Sequence, residues 1–186
     1  PTASDSLLRS LVLSRLGQCH DSAQLTQTWT SLDRAERLMP DIALQAARRM
    51  LSVQGSARVV LNWLLPLWTG WGDRSVSLDT RQQLELIDVL EQALLADEPQ
   101  ADWLARTEQA RLSQPQHMGL LYLYGRVCMR HSLWGKAQQM LERCAPQLTQ
   151  PSLQRKAWCS VAELAEQRGD AAAASQAWRR AALVPS

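Results

Sequence analysis

The side chains able to do chemistry in this chain are few and scattered. Three histidines (His20, His117, His131) and four cysteines (Cys19, Cys128, Cys144, Cys159) are the candidate metal ligands and nucleophiles. A structural zinc site takes about four such ligands, usually as two closely spaced pairs. No C-x2-C pair exists, and neither Cys19 with His20 nor Cys128 with His131 has a complementary second pair at a suitable spacing. The thiols therefore read as small buried groups of a reducing compartment, and the histidines as solvated or helix-end imidazoles. A Gly-rich phosphate loop, H-E-x-x-H and G-x-S-x-G are all missing from the sequence. No catalytic residue, metal or cofactor is assigned, and the expected activity is binding.

The chemistry that remains is ionic and aromatic. Arg126 and Arg130 stand four apart, so their guanidinium groups project from one helical face and can grip carboxylates in forked geometry. Tyr122 and Met129 share their helix. Cys159, Glu163 and Glu166 take the matching face one repeat later. This set reads as a partner-binding groove for an anionic peptide, against the plainer reading of a solvated charged face.

A repeated helical framework would position that face. Leu121, Tyr124, Gly125 and Cys128 stand at offsets 0, 3, 4 and 7, and Ala137, Leu141 and Cys144 lie 12, 16 and 19 residues beyond Gly125. Trp158, Val161, Ala162 and Ala165 repeat the first set, while Ala174, Trp178 and Ala181 repeat the second, with a period of 37 residues. Offsets of 0, 3, 4 and 7 put residues on one face of an α-helix, and that face must be buried. Small residues at Gly125, Ala137, Ala162 and Ala174 let paired helices cross closely, with Leu141 or Trp178 filling the space between units. This is the logic of tetratricopeptide (TPR) repeats, whose period is about 34 residues. The three extra residues fit the turn at Thr149 to Ser152.

Helix signals fill the chain, and no convincing alternating β run appears. Helices are expected over about 4–16, 22–38, 40–53, 57–68, 81–96, 101–112, 117–130, 133–147, 152–168 and 170–183. Pro66 should kink or shorten the fourth, the segment 69–79 reads as a flexible joint, and Thr80 with Gln83 fits a capping box. The expected fold is all-α, a TPR-like right-handed superhelix of about five hairpins. Residues 1–78 form divergent hairpins, continuous as one solenoid with TPR-like repeats over 79–186. Trp63, Trp68 and Trp71 crowd one hairpin end, as core or as an exposed aromatic patch.

The 20 basic and 18 acidic side chains leave a formal net charge of +2, which gives no footprint for nucleic acid. The longest apolar runs fall far short of the roughly 20 residues needed to span a membrane. Pro1 stands where an initiating Met is expected and opens no signal peptide, which points to a processed or partial chain.

The runs LYLYGRVCMR and LWGKAQQMLE, with AELAEQRGDAAAASQAWRRA downstream and PDIALQAARRML and VVLNWLLPLW upstream, resemble the C-terminal domain of HemY-type proteins. That resemblance implies a bacterial inner-membrane protein associated with haem biosynthesis. Transmembrane helices would precede a soluble TPR domain on the cytoplasmic side. It implies a non-enzymatic scaffold whose protein partners are late tetrapyrrole-pathway enzymes. The alternative from another class is a haem or porphyrin carrier, with the Arg pair receiving propionates and His131, Cys128 or Cys159 as iron ligand.

Overall fold

A computed structural model describes residues 3–185, with side chains from Ser6 onward. Eleven helices and no strand occur among them: α1 (Ala3–Gln18), α2 (Ser22–Ser31), α3 (Arg34–Arg37), α4 (Pro40–Ser52), α5 (Ala57–Gly72), α6 (Thr80–Ala96), α7 (Ala101–Ser113), α8 (Met118–Arg130), α9 (Trp134–Cys144), α10 (Pro151–Gln167) and α11 (Ala171–Leu183). The chain separates into two compact units, Pro1–Asp97 and Glu98–Ser186. The boundary falls within the third expected hairpin, so α6 belongs to the first unit and α7 to the second.

In the first unit α4 is the central helix, packed by α1, α2, α3, α5 and α6. Its sequence allows this because Ile42, Ala43, Leu44, Ala46, Ala47 and Met50 are all buried, so apolar groups point to several sides at once. Trp63 of α5 stacks on Trp29 of α2 with ring centroids 4.7 Å apart, and the Arg37 guanidinium lies 5.9 Å from the Trp29 ring. Trp68 is likewise buried, so two of the three clustered indoles belong to the core, and Trp71 meets Trp68 edge-on at 5.7 Å. Asp41 at the start of α4 receives Arg9 from α1 and both Arg81 and Gln82 from α6, which ties three helices at one carboxylate.

Three local expectations are corrected. The helix expected over 22–38 is broken at Leu32 and Asp33. There Asp33 accepts from the Glu36 N–H at 2.8 Å and Glu36 accepts from the Asp33 N–H at 2.8 Å, a capping box that starts α3. The box expected at Thr80 and Gln83 is made one residue earlier, by Asp79 and Gln82. The segment 69–79 is no loose joint: α5 runs through Pro66 to Gly72, and the chain then folds back. Val76 N–H donates to Gly70 O at 2.9 Å, Ser75 N–H donates to Asp73 at 2.9 Å, and Leu78 is buried. Gly70 is required there, because a Cβ would lie 2.6 Å from a Val76 methyl.

Three hairpins end their first helix in the same way. Gln54, Ser132 and Gly169 have φ of 55°, 58° and 77°. Each donates its N–H three residues back, to Leu51, Met129 and Glu166, at 3.0 Å. The next residue donates five back, from Gly55 to Met50 and from Leu133 to Cys128 and Asp170 to Ala165, at 2.8–2.9 Å. This left-handed stop with its two crossed bonds satisfies the last carbonyls of a helix and turns the chain. It joins α4 to α5, α8 to α9 and α10 to α11. Seven residues before each left-handed residue stands a small one, Ala47, Gly125 or Ala162, and nine after stands a large one, Trp63, Leu141 or Trp178. The crossing is close: a Cβ on Gly125 would lie 2.8 Å from Leu141 Cγ. In the second unit α7 packs on α8, α8 on α9, α9 on α10 and α10 on α11.

Candidate partner-binding site

The face expected to bind a partner lies where α8 and α10 run together. Arg126 Nη1 donates to Ser160 Oγ at 2.8 Å, and Ser160 Oγ donates to the Lys156 carbonyl at 2.9 Å. Ser160 is buried, so an arginine from one helix is anchored on the next helix through a hydroxyl within the packing. The same nitrogen stands 3.8 Å from Met129 Sδ. Burial pushes the Cys159 thiol above its ordinary value, the Glu163 carboxylate adds to the rise, and Arg155 and Arg126 oppose it. Arg126, Arg155, Cys159 and Glu163 therefore share one electrostatic neighbourhood. Glu163 within it is exposed, as is Arg130 in the last turn of α8.

Two members of the expected set stand elsewhere. Tyr122 is wholly buried, so its ring lies in the packing and presents no flat surface to solvent. The reason is local: every residue from Gly119 to Gly125 is buried, and α8 emerges only in its last turns. Glu166 accepts the Trp178 indole N–H at 2.8 Å, which commits it to its own hairpin. The packing residues Leu121, Tyr124, Gly125, Ala137, Leu141, Ala162 and Ala174 are buried. Trp158 is half-buried beneath the Arg180 guanidinium at 4.7 Å, and Trp178 is 38% exposed.

A second polar cluster escaped the sequence reading. Tyr124 donates its hydroxyl to Glu108 of α7 at 2.9 Å, Lys136 of α9 lies 3.7 Å from the same carboxylate oxygen, and Arg111 lies 3.9 Å from it. Arg111 also covers the Tyr124 ring at 5.0 Å. Desolvation, with Glu108 second, drives the Tyr124 phenol far above its ordinary value, and burial raises the Cys128 thiol as well. The cluster joins α7, α8 and α9 through neutral phenol and thiol and one shared carboxylate, so it holds helices together. The only sequence signal was Glu108 and Arg111 at helical spacing, which is too common to single out.

The three side chains considered as iron ligands are differently placed. Cys128 is wholly buried, Cys159 sits on α10 among charged neighbours, and His131 caps the end of α8. Among the described residues no three of His, Cys, Asp or Glu converge as a metal site, and no helix is long and apolar enough to cross a membrane. His117 caps the start of α8 by accepting the Leu120 N–H at 3.2 Å, and burial lowers its pKa. In comparisons with known proteins, no protein-family model, curated protein or solved structure matches the chain.

Proposed function

We propose that this chain is a non-enzymatic helical-repeat scaffold of the TPR type, its hairpins coiling in a right-handed superhelix, and that it binds a protein partner along the joined faces of α8 and α10. The observation that carries the reading is the anchored Arg126. An arginine bonded at 2.8 Å to a buried serine of the neighbouring helix is held in one geometry beside exposed Arg130 and Glu163. A preorganised cation of that kind loses little side-chain entropy when it meets a carboxylate, and its forked donors recognise carboxylate shape. The recurring turn at Gln54, Ser132 and Gly169 supports the repeat assignment, because tandem hairpins of one register are how solenoids stack.

The partner class comes from the resemblance to HemY-type proteins. On that basis the domain recruits or organises late tetrapyrrole-pathway enzymes at the cytoplasmic side of a bacterial inner membrane, to which a preceding segment anchors it. Specificity in such a groove resides in charge pattern, so reversing exposed charges tests it without touching the core. Arg130→Glu combined with Glu163→Lys is expected to lower capture of those enzymes by about tenfold or more while the helical circular dichroism is unchanged. Capture that persists at the wild-type level in the double variant removes the groove from this role.

A further inference from the structure

The first unit carries a polar cleft of about 390 Å3, open to solvent between the end of α1 and one side of α2. From α2 it takes Gln24, Gln27, Thr28 and Ser31, at offsets 0, 3, 4 and 7, the spacing of a single helical face. A face at this spacing is normally apolar and packed, whereas this one is carboxamide and hydroxyl throughout. Arg15 and Gln18 of α1 form the opposite wall, with Cys19 immediately after them.

The hydrogen bonds fix what each group offers. Gln24 Oε1 accepts the His20 N–H at 2.9 Å, so the amide is oriented and its own N–H bonds are left for the cleft. The Cys19 thiol donates to the Arg15 carbonyl at 3.3 Å, which makes the Thr28 hydroxyl the donor in their 3.4 Å contact and leaves its lone pairs available. Ser31 gives its hydroxyl hydrogen to the Thr28 carbonyl at 2.6 Å and also keeps its lone pairs. Arg49 holds the wall by donating to the Cys19 carbonyl at 2.9 Å. Among the described residues no carboxylate meets the Arg15 guanidinium, and Asp21, the acid nearest in sequence, is engaged in capping α2 by accepting the Gln24 N–H at 2.8 Å.

One cation and oriented amide donors thus stand with hydroxyl acceptors in a single cleft. We infer that it binds a small hydroxylated organic anion, of the sugar-acid or sugar-phosphate class, with the acidic group on Arg15 and the carboxamides and the ligand hydroxyls donating to Thr28 and Ser31. A guanidinium grips one carboxylate or phosphate in forked geometry, and Gln18 and Gln27 both donate and accept. The volume lies at the small end of the roughly 300–1,000 Å3 of small-molecule sites, room for one such ring. No aliphatic or aromatic side chain lines the cleft, so an apolar ligand gains nothing there. The site uses no residue of α8 or α10 and does not depend on the partner-binding assignment.

The probes are D-glucuronate and glucose 6-phosphate, titrated into the full, isotope-labelled 186-residue chain and followed by the side-chain N–H resonances of Arg15, Gln18, Gln24 and Gln27. At least one is expected to give saturable shifts at those side chains, and the tighter of the two identifies carboxylate or phosphate as the preferred head group. Glucose, which lacks the charge, and acetate and inorganic phosphate, which lack the hydroxyls, should each bind about tenfold or more weakly. Arg15→Gln and Gln27→Glu, both at exposed positions, should each weaken the tighter probe about tenfold or more, with the backbone amide spectrum as the check on folding. Arg130→Glu in the second unit should change nothing. Failure of both probes to saturate, or wild-type affinity in Arg15→Gln, overturns the inference. Acetate or inorganic phosphate binding as tightly as the probes also overturns it, by reducing the cleft to a bare anion site.

Discussion

The hairpins α4/α5 and α10/α11 carry a tryptophan at the same step of the same register, nine residues after the left-handed turn, yet the two indoles live differently. Trp63 is 9% exposed and stacked on Trp29, whereas Trp178 is 38% exposed and donates its N–H to a surface glutamate. The turn and the period determine where a side chain stands. Whether it is buried depends on the helix that arrives next, and α2 supplies that cover for Trp63. The same step thus meets a helix of another hairpin in the first unit and only its own hairpin in the second.

Truncation should separate the two most strongly. Trp63→Ala is expected to destabilise the first unit by about 3–5 kcal/mol, the usual cost of emptying a buried aromatic site. Trp178→Ala should cost the second unit about 1–2 kcal/mol, because much of its area is already in water. Urea unfolding of the two variants gives the comparison, and equal losses would show that the register alone sets the energy. At the crossing itself, Gly125→Val is expected to cost about 1–3 kcal/mol through overpacking against Leu141, with a further penalty for β-branching in the helix. Ala162 already carries a Cβ at the equivalent point.

The turns are compared by exchanging what they have. Gly169→Ala should destabilise by about 1 kcal/mol because the left-handed conformation disfavours a Cβ. Ser132→Gly should stabilise by a smaller amount for the same reason, both read from the unfolding midpoint. The smallest effect is a pH dependence confined to the second unit. Burial depresses the His117 pKa below its ordinary 6.5, so the unfolded chain binds the proton first. Stability from the neutral cap is complete above pH 6.5 and is lost as pH falls from there toward the folded value. His117→Asn keeps a capping acceptor and should flatten this slope in the thermal midpoint between pH 7 and 5.

Much of the second unit was legible because helical burial repeats at a short, fixed spacing. The positions of Leu121, Tyr124, Gly125, Ala137, Leu141, Ala162 and Ala174 follow from that rule, and the structure buries each one. The exposure of the α8 and α10 side chains was legible only in part. Arg126, Arg130 and Glu163 could be placed on a face, but the same face assignment put Tyr122 at the surface, and neighbouring helices enclose it. A turn is legible at Gln54, Gly55 and Ser56, but its likeness to the turns at Ser132 and Gly169 is not, because the left-handed residue is the glutamine and not the glycine that follows it, although Ala47 and Trp63 hold the matching steps. The capping box at Asp33 is present as D-x-x-E, but the helical pattern runs across it, and the box at Asp79, D-x-x-Q, stands one residue before an equally plausible T-x-x-Q.

The amino-acid order by itself determined the all-helical class, the 37-residue period and the small-against-large crossing, since all three depend on contacts within one or two adjacent helices. Only the tertiary structure decided where the chain divides, which carboxylate gathers Arg9, Arg81 and Gln82, and which tryptophan stays open to solvent. Those outcomes depend on side chains tens of residues apart in sequence, and local spacing carries no information about which distant helix will cover a given face.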